Sequence, residues 1–120
     1  MDSTLIVLCC MKPKLSTAKT LLSANKLPLD ANSFFNGLII CGKMKVVQYE
    51  STTGSGEIKY YMQLTDEGAA YGENKASGWH EFKTEPKFYE HMFIDAYLTC
   101  CDAIGRHARD WAATKTHPNQ

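Results

Sequence analysis

The 120-residue sequence has no excess charge of either sign and no hydrophobic run long enough to cross a membrane. Its 13 basic residues balance its 13 acidic ones, so the net charge gives no overall attraction to nucleic acid or acidic lipid. The most apolar stretch, STLIVLCC, is far shorter than the roughly 20 residues of a membrane-spanning helix, and it lacks the basic start of a secretion signal. We therefore expect a cytoplasmic protein without membrane association, in which this stretch is a buried strand or packs on the core.

The cysteines form no recognisable framework. Their number is odd, four of them occur as two adjacent pairs, and the C-x-x-C spacing is absent. This pattern argues against both a set of disulfides and a zinc ribbon, and it favours buried, reduced thiols. The residues concerned are Cys9, Cys10, Cys41, Cys100 and Cys101.

Motifs that carry catalysis are also missing. The sequence contains no phosphate-binding glycine loop, no nucleophile elbow and no H-E-x-x-H. Glu81, Glu85 and Glu90 have no partner residues that would make them an acid/base set. The histidines, which show no metal-ligand spacing with the cysteines, are His80, His91, His107 and His117. We therefore predict a protein that is not an enzyme and that needs no metal or cofactor.

The length suits one domain, and an apolar share of 44% predicts a folded core. Ser16 is a good N-cap for a first helix in TAKTLLSANKL, whose apolar residues have helical spacing. Asp30 is the predicted N-cap of a second helix in ANSFFNGLIICGKM, and Gly42 is its predicted stop. Two short helices are therefore expected to meet across a tight turn.

A β-hairpin is predicted next. MKVVQYE and EIKYYMQLT are rich in strand-forming residues, and the polar link STTGSG separates them. In the second strand, Ile58, Tyr60 and Met62 alternate with polar or aromatic neighbours, so one side can face a core. Thr65 is the predicted N-cap of a short helix, and Gly72 is the predicted end of that helix. The segment ASGWHEFKTEP is expected to be extended.

Residues 87–111 carry the longest helical pattern, an apolar stripe that persists for about seven turns. Such a helix is longer than a small core can cover. It either packs across the domain or pairs its far half with a second copy, and we predict a homodimer through this C-terminal helix. Residues 114–120 read as a frayed tail.

The order helix, turn, helix, hairpin is typical of a winged helix-turn-helix. We therefore predict an α+β fold, with a winged helix-turn-helix-like domain in residues 1–85 and a long C-terminal helix in residues 86–113. The second helix, about 31–41, would enter the major groove of double-stranded DNA, with the wing at 44–64 beside it. Six basic residues in 11–45 against one acidic residue support such a surface. The predicted DNA-binding residues are Lys12, Lys14, Lys19, Lys26, Asn32, Ser33, Asn36, Lys43, Lys45 and Lys59.

MKPKLSTAKTLLSANKLPLD followed by YMQLTDEGAAYGENK resembles the winged-helix segment near the carboxyl end of phage antirepressor and KilA-type proteins. The resemblance covers roughly residues 11–82. It implies a small regulatory phage DNA-binding protein. The second helix departs from this pattern because its interior has no Arg or Lys, so contacts mainly to phosphates are expected. The residues that carry the resemblance are Leu64, Thr65, Gly68, Tyr71, Gly72 and Trp79.

A protein-binding module is the alternative hypothesis. The apolar second helix and the long aromatic helix suit a protein interface, as in a phage-encoded inhibitor of a host enzyme or defence complex. The neighbouring Tyr60 and Tyr61 could stack on bases, although such pairs more often pack inward and against a neighbour.

Overall fold

Three helices and five strands make up the part of the chain that the computed structural model describes, namely residues 13–51, 54, 56–76 and 83–116. In chain order they are β1 (Leu15–Ser16), α1 (Ala18–Ala24), α2 (Ala31–Ile40), β2 (Met44–Glu50), β3 (Ile58–Leu64), β4 (Gly72–Ala76), β5 (Thr84–Tyr89) and α3 (Phe93–Thr116). The predicted α+β class with a long C-terminal helix is confirmed. The stretch STLIVLCC, Lys12 and Trp79 lie outside the described residues.

The first helix begins one residue later than predicted. Thr17, not Ser16, is the N-cap, and its side chain accepts a hydrogen bond from the Thr20 N–H at 3.2 Å. Ser16 belongs to β1, where its hydroxyl donates to the Glu90 carboxylate at 2.8 Å. The predicted span also ran too far, because α1 ends at Ala24 and Lys26 adopts a left-handed φ of 55°.

Both predicted ends of the second helix are confirmed. Asp30 caps α2 by accepting a hydrogen bond from the Ser33 N–H at 3.4 Å. Gly42 has a φ of 82°, and its N–H donates to the Ile39 carbonyl while the Lys43 N–H donates to the Leu38 carbonyl. These two bonds form a Schellman motif, in which a left-handed glycine ends the helix.

The strands form two antiparallel sheets. β1, β5 and β4 lie in that order in one sheet, and β2 and β3 form the predicted hairpin, paired from Met44–Leu64 to Glu50–Ile58. Asn74 of β4 connects the sheets, since its side chain accepts from the Leu64 N–H at 2.8 Å and donates to the Leu64 carbonyl at 3.0 Å. One side chain thus replaces a pair of backbone hydrogen bonds.

The short helix predicted after Thr65 is wrong in extent. Only Asp66–Gly68 forms a single 3-10 turn, and Gly72 begins β4 instead of ending a helix. The Thr65 side chain makes no cap bond, because its hydroxyl donates to the Gly42 carbonyl at 2.6 Å. A Cβ at Gly72 would collide with the Lys87 carbonyl oxygen, so close approach to β5 requires glycine here.

The predicted start of the long helix is also wrong. Residues 87–89 belong to β5, a 3-10 turn covers Glu90–Met92, and α3 runs from Phe93 to Thr116, beyond the predicted end at 113. Pro86 is buried inside β5, opposite Asn74. Proline is tolerated at this position because β1 pairs only with the last two residues of β5. At Pro86, β5 is therefore an edge strand on the side that faces away from β4.

The core is aromatic and lies between α2, α3 and β5. Phe34, Phe88 and Phe93 are fully buried, and the Phe34 ring centroid lies 5.4 Å from that of Phe88 and 5.1 Å from that of Phe93. The two helices approach closely at Gly37, where a Cβ would meet the Cys100 sulfur. These contacts fix the orientation of α2.

The hairpin joins this core at its root, where Met44 and Leu64 are buried and Met62 packs against the core. Of the side of β3 that was expected to be able to face a core, Met62 packs against the core, whereas Ile58 is 43% and Tyr60 62% exposed. Strands of seven residues extend about 23 Å at about 3.3 Å per residue, which is further than the small core reaches.

No helix in the described residues combines the length and apolarity needed to cross a membrane.

Candidate nucleic-acid interface

The exposed side of α2 is polar at its start and apolar at its end. Asn32 and Asn36 are exposed and lie four residues apart, so they share one face of the helix, which Ile40 continues. Ser33 is half-buried, and its backbone N–H is taken by the Asp30 cap. The hydrogen bonds from Ser33 lower the pKa of the Asp30 carboxyl, which places a negative charge at the helix N-terminus. Phosphate binding at that terminus is therefore disfavoured.

A groove of about 410 Å³ separates α1 from α2. Lys19, Ser23, Asp30 and Asn32 line it together with leucine side chains. The structure therefore brings two of the predicted site residues, Lys19 and Asn32, to one groove.

A second groove, of about 510 Å³, lies between α2, the hairpin and the start of β5. Asn32 lines this groove too, so the two grooves adjoin. Phe35, Tyr60 and Tyr61 form its aromatic wall, and Lys83 lies at its rim. The sequence interpretation missed Phe35 and Lys83 as members of this surface, because only the packing of β5 beside the hairpin brings Lys83 near α2.

The hairpin carries two of the predicted lysines on one face. Lys45 pairs with Gln63 and Tyr49 pairs with Lys59, so the alternation of strands puts Lys45, Tyr49 and Lys59 on the side away from buried Met44. Tyr49 and Tyr61 pack on this side, with ring centroids 5.7 Å apart. Tyr61 is thus half-buried against a neighbour, while Tyr60 projects on the opposite side. We call the side with Lys45 and Lys59 the wing face.

The remaining predicted lysines are dispersed. Lys43 is half-buried at the hairpin root, whereas Lys14, before β1, and Lys26, after α1, are exposed but line neither groove. Lys45 borders a further groove of about 460 Å³ together with Asp66 and Glu67, which partly offset its charge. The predicted site is therefore not one continuous basic patch.

The predicted lysines are nevertheless available for a ligand. Within the described residues, no ion pair forms to Lys14, Lys19, Lys26, Lys45 or Lys59. By contrast, Lys75 contacts the Glu73 carboxylate at 2.8 Å and Lys87 contacts Glu85 at 3.3 Å, both in the other sheet. The wing lysines thus differ from ordinary paired surface lysines of the same protein.

The described cysteines are free thiols: Cys100 is buried, and Cys41 and Cys101 are half-buried. Burial raises the pKa of the Cys100 thiol from its ordinary 9.0 to about 11, and the neighbouring Cys101 and Cys41 add to this effect. Because the described residues hold no group of three His, Cys, Asp or Glu side chains placed to bind a metal ion, these thiols have no metal site there.

We expect Cys100 to resist alkylation in the folded protein at pH 8, while Cys41 and Cys101 react first, because the thiolate is the reactive form. Since the folded pKa lies above the unfolded one, protonated Cys100 stabilises the fold at pH values below 9.0, and this contribution is lost as the pH rises through about 11. Maleimide labelling with peptide mapping measures the rates. Modification of Cys100 as fast as that of Cys101 in the native state would contradict this prediction.

Comparison of the chain with models of protein families, with curated proteins and with solved structures found no match. The resemblance to phage antirepressor proteins therefore stays a prediction.

Proposed function

We propose that the protein binds double-stranded DNA, with α2 and the β2–β3 hairpin acting as the helix and wing of a winged helix-turn-helix-like arrangement. One observation carries the proposal: a hairpin with seven-residue strands leaves the core directly after the helix pair, with Lys45 and Lys59 exposed on one face. An exposed hairpin of this kind has few core contacts of its own, and its cations suit the phosphate backbone.

The side chains differ in which part of the DNA they contact. Lys19, Lys45 and Lys59 contact phosphates, whereas Asn32 and Asn36 are the α2 residues with amides that reach base edges. Because α2 has no Arg or Lys, its base contacts are few, and the specificity of binding is modest. A regulatory role of the phage type is the function that the sequence resemblance adds to this proposal.

The wing face is tested by neutralising its lysines. K45Q/K59Q is expected to weaken duplex binding by about tenfold or more at 50 mM salt, since each phosphate contact contributes electrostatic affinity. K75Q/K87Q is the matched control, because it removes the same charge from lysines that are already paired with glutamates. A gel shift with duplex DNA compares the two. Equal losses in both variants would show that net charge, not the wing face, governs binding.

A protein-binding function is the second candidate, and a specific observation favours it. Ile40, Val46, Ile58 and Tyr60 are large apolar side chains that are 43–62% exposed on α2 and the hairpin. Exposed apolar side chains of this size suit a protein partner, such as a host enzyme or defence complex that a phage protein inhibits. A pull-down from host lysate that retains one stoichiometric protein, with no DNA retained at moderate salt, would favour this function over the first.

A further inference from the structure

The second half of α3 extends beyond the domain. Ala103 is the last buried residue of this helix, and every residue from Arg106 to Lys115 is exposed. A helical segment of about three turns is marginal in water by itself, because most helical stability in proteins comes from packing. Packing on a partner surface would therefore stabilise this segment.

A row of apolar and small residues follows α3 from the domain into the extension, on a side that is exposed at Ile94 and Leu98 and half-buried at Cys101 and Gly105. Its members, spaced alternately by four and three residues, are Ile94, Leu98, Cys101, Gly105, Ala108 and Ala112. This spacing is that of helices which pair along a seam. Ile94 is 44% and Leu98 55% exposed, whereas Phe93 and Ala96 on the other side are fully buried in the core. We call this row the α3 seam.

The charges beside the seam identify what it binds. Asp102 and Arg109 flank the seam on the same side, seven residues apart, and Ile104 and Trp111 flank it on the other side with the same separation. In an antiparallel pair of identical helices, residues on the same flank meet each other. The seam is therefore complementary to a second copy of itself.

We infer that the α3 seam binds a second copy of this chain, with the two helices antiparallel. In the register shifted by one heptad from full overlap of the two seams, Gly105 of one copy lies beside Ala108 of the second, Cys101 lies beside Ala112 and Leu98 lies beside Lys115. The small side chains let the helix axes approach to about 8 Å, the short end of the usual range. Two-fold symmetry makes each contact occur twice.

This register pairs opposite charges. Asp102 of each copy meets Arg109 of the second copy, and Trp111, which is 62% exposed in the single chain, packs on Ile104 of the second copy. A parallel arrangement would place Asp102 beside Tyr97 and Arg109 beside Ile104, with no ion pair on either flank. In the antiparallel register that overlaps all six seam residues, Asp102 would meet Asp102 of the second copy. The charge pattern thus selects the antiparallel dimer in the shifted register, and the inference does not rest on DNA binding.

A charge exchange tests the orientation and the register in the full chain. Sedimentation equilibrium of the wild type is expected to give twice the 13.5 kDa chain mass. D102R and R109D each create two like-charge contacts and should weaken association at least about tenfold. D102R/R109D restores opposite charges and should return the association constant to within about threefold of the wild type.

The control is D110R, which makes the same change of charge on the same helix but away from the seam, and it should associate like the wild type. Arg109 lies beyond the core, so circular dichroism of the R109D variant should show that its domain remains folded. The inference is overturned by a monomeric wild type at about 100 µM, a concentration that populates even weak dimers. It is also overturned if the double variant fails to recover association, if D110R loses it, or if the seam instead captures a different protein.

Discussion

Replacing Phe34 with alanine is expected to lower the free energy of unfolding by about 3–5 kcal/mol, the usual loss for a fully buried phenylalanine. The Phe34 side chain is fully buried, and its ring lies within 6.2 Å of the rings of Phe35, Phe88, Phe93 and Tyr97. Truncation leaves a cavity where α2 meets α3 and β5. Because small domains are stable by only about 5–15 kcal/mol, this single change removes a large part of the total.

Phe35 is the matched control, since it is the neighbouring residue on the same helix and loses the same atoms. It is half-buried and lines the second groove. F35A should therefore cost clearly less, about 1–2 kcal/mol, because less apolar surface leaves the protein interior. Urea unfolding followed by circular dichroism measures both variants. Equal losses for F34A and F35A would mean that the aromatic core is not centred on Phe34.

The second large effect is expected at Asn74, the residue that connects the two sheets. N74A leaves the N–H and the carbonyl of Leu64 without the partner side chain, and each partly buried group that loses its partner costs about 1–3 kcal/mol. We expect a total loss of about 2 kcal/mol, since water reaches part of the gap. The hairpin also loses its attachment to β4, so the wing becomes less well oriented.

N74D sharpens this test because its side chain has the same shape. The ionised carboxylate accepts from the Leu64 N–H but repels the Leu64 carbonyl, so N74D should be destabilised at pH 7. The protonated carboxyl donates to that carbonyl, so the folded pKa of the new group lies above the unfolded value of about 3.9. Its stabilising contribution is then present below the unfolded pKa and is lost as the pH rises through the folded pKa.

Stability of N74D relative to the wild type at the same pH should therefore recover as the pH falls. Urea unfolding of both proteins at pH 7 and near pH 3 measures this difference. A constant difference between the two pH values would contradict the donor–acceptor geometry at Leu64.

Features with a local cause were predictable from the sequence. Asp30 caps a helix through its own side chain, and Gly42 ends one by adopting a left-handed φ, so both signals are contained in a few residues. The hairpin strands followed from their strand-forming residues in the same way. These are interactions over short sequence distances, which propensity and capping rules describe.

Features that depend on pairing across the fold were not predictable. GENKA has little strand propensity and becomes β4 only because it pairs with β5, where Pro86 would ordinarily argue against a strand. The apolar spacing around Tyr89 continues the pattern of α3, so the periodicity predicts a helix where the structure has the end of β5. In the candidate site too, contacts across the fold were not predictable. The lysine positions could be predicted, but not that Asp66 and Glu67 line the same groove as Lys45.

The salt dependence of duplex binding tests directly whether the lysines of this surface contact DNA phosphates. If Lys19, Lys45 and Lys59 meet phosphates, the logarithm of the binding constant should fall linearly with the logarithm of salt concentration. The expected slope per bound chain is about −2.7, at about 0.9 per phosphate contact. No duplex binding at about 50 mM salt, or an affinity that does not change between about 50 and 200 mM salt, would contradict the proposal that this surface binds DNA.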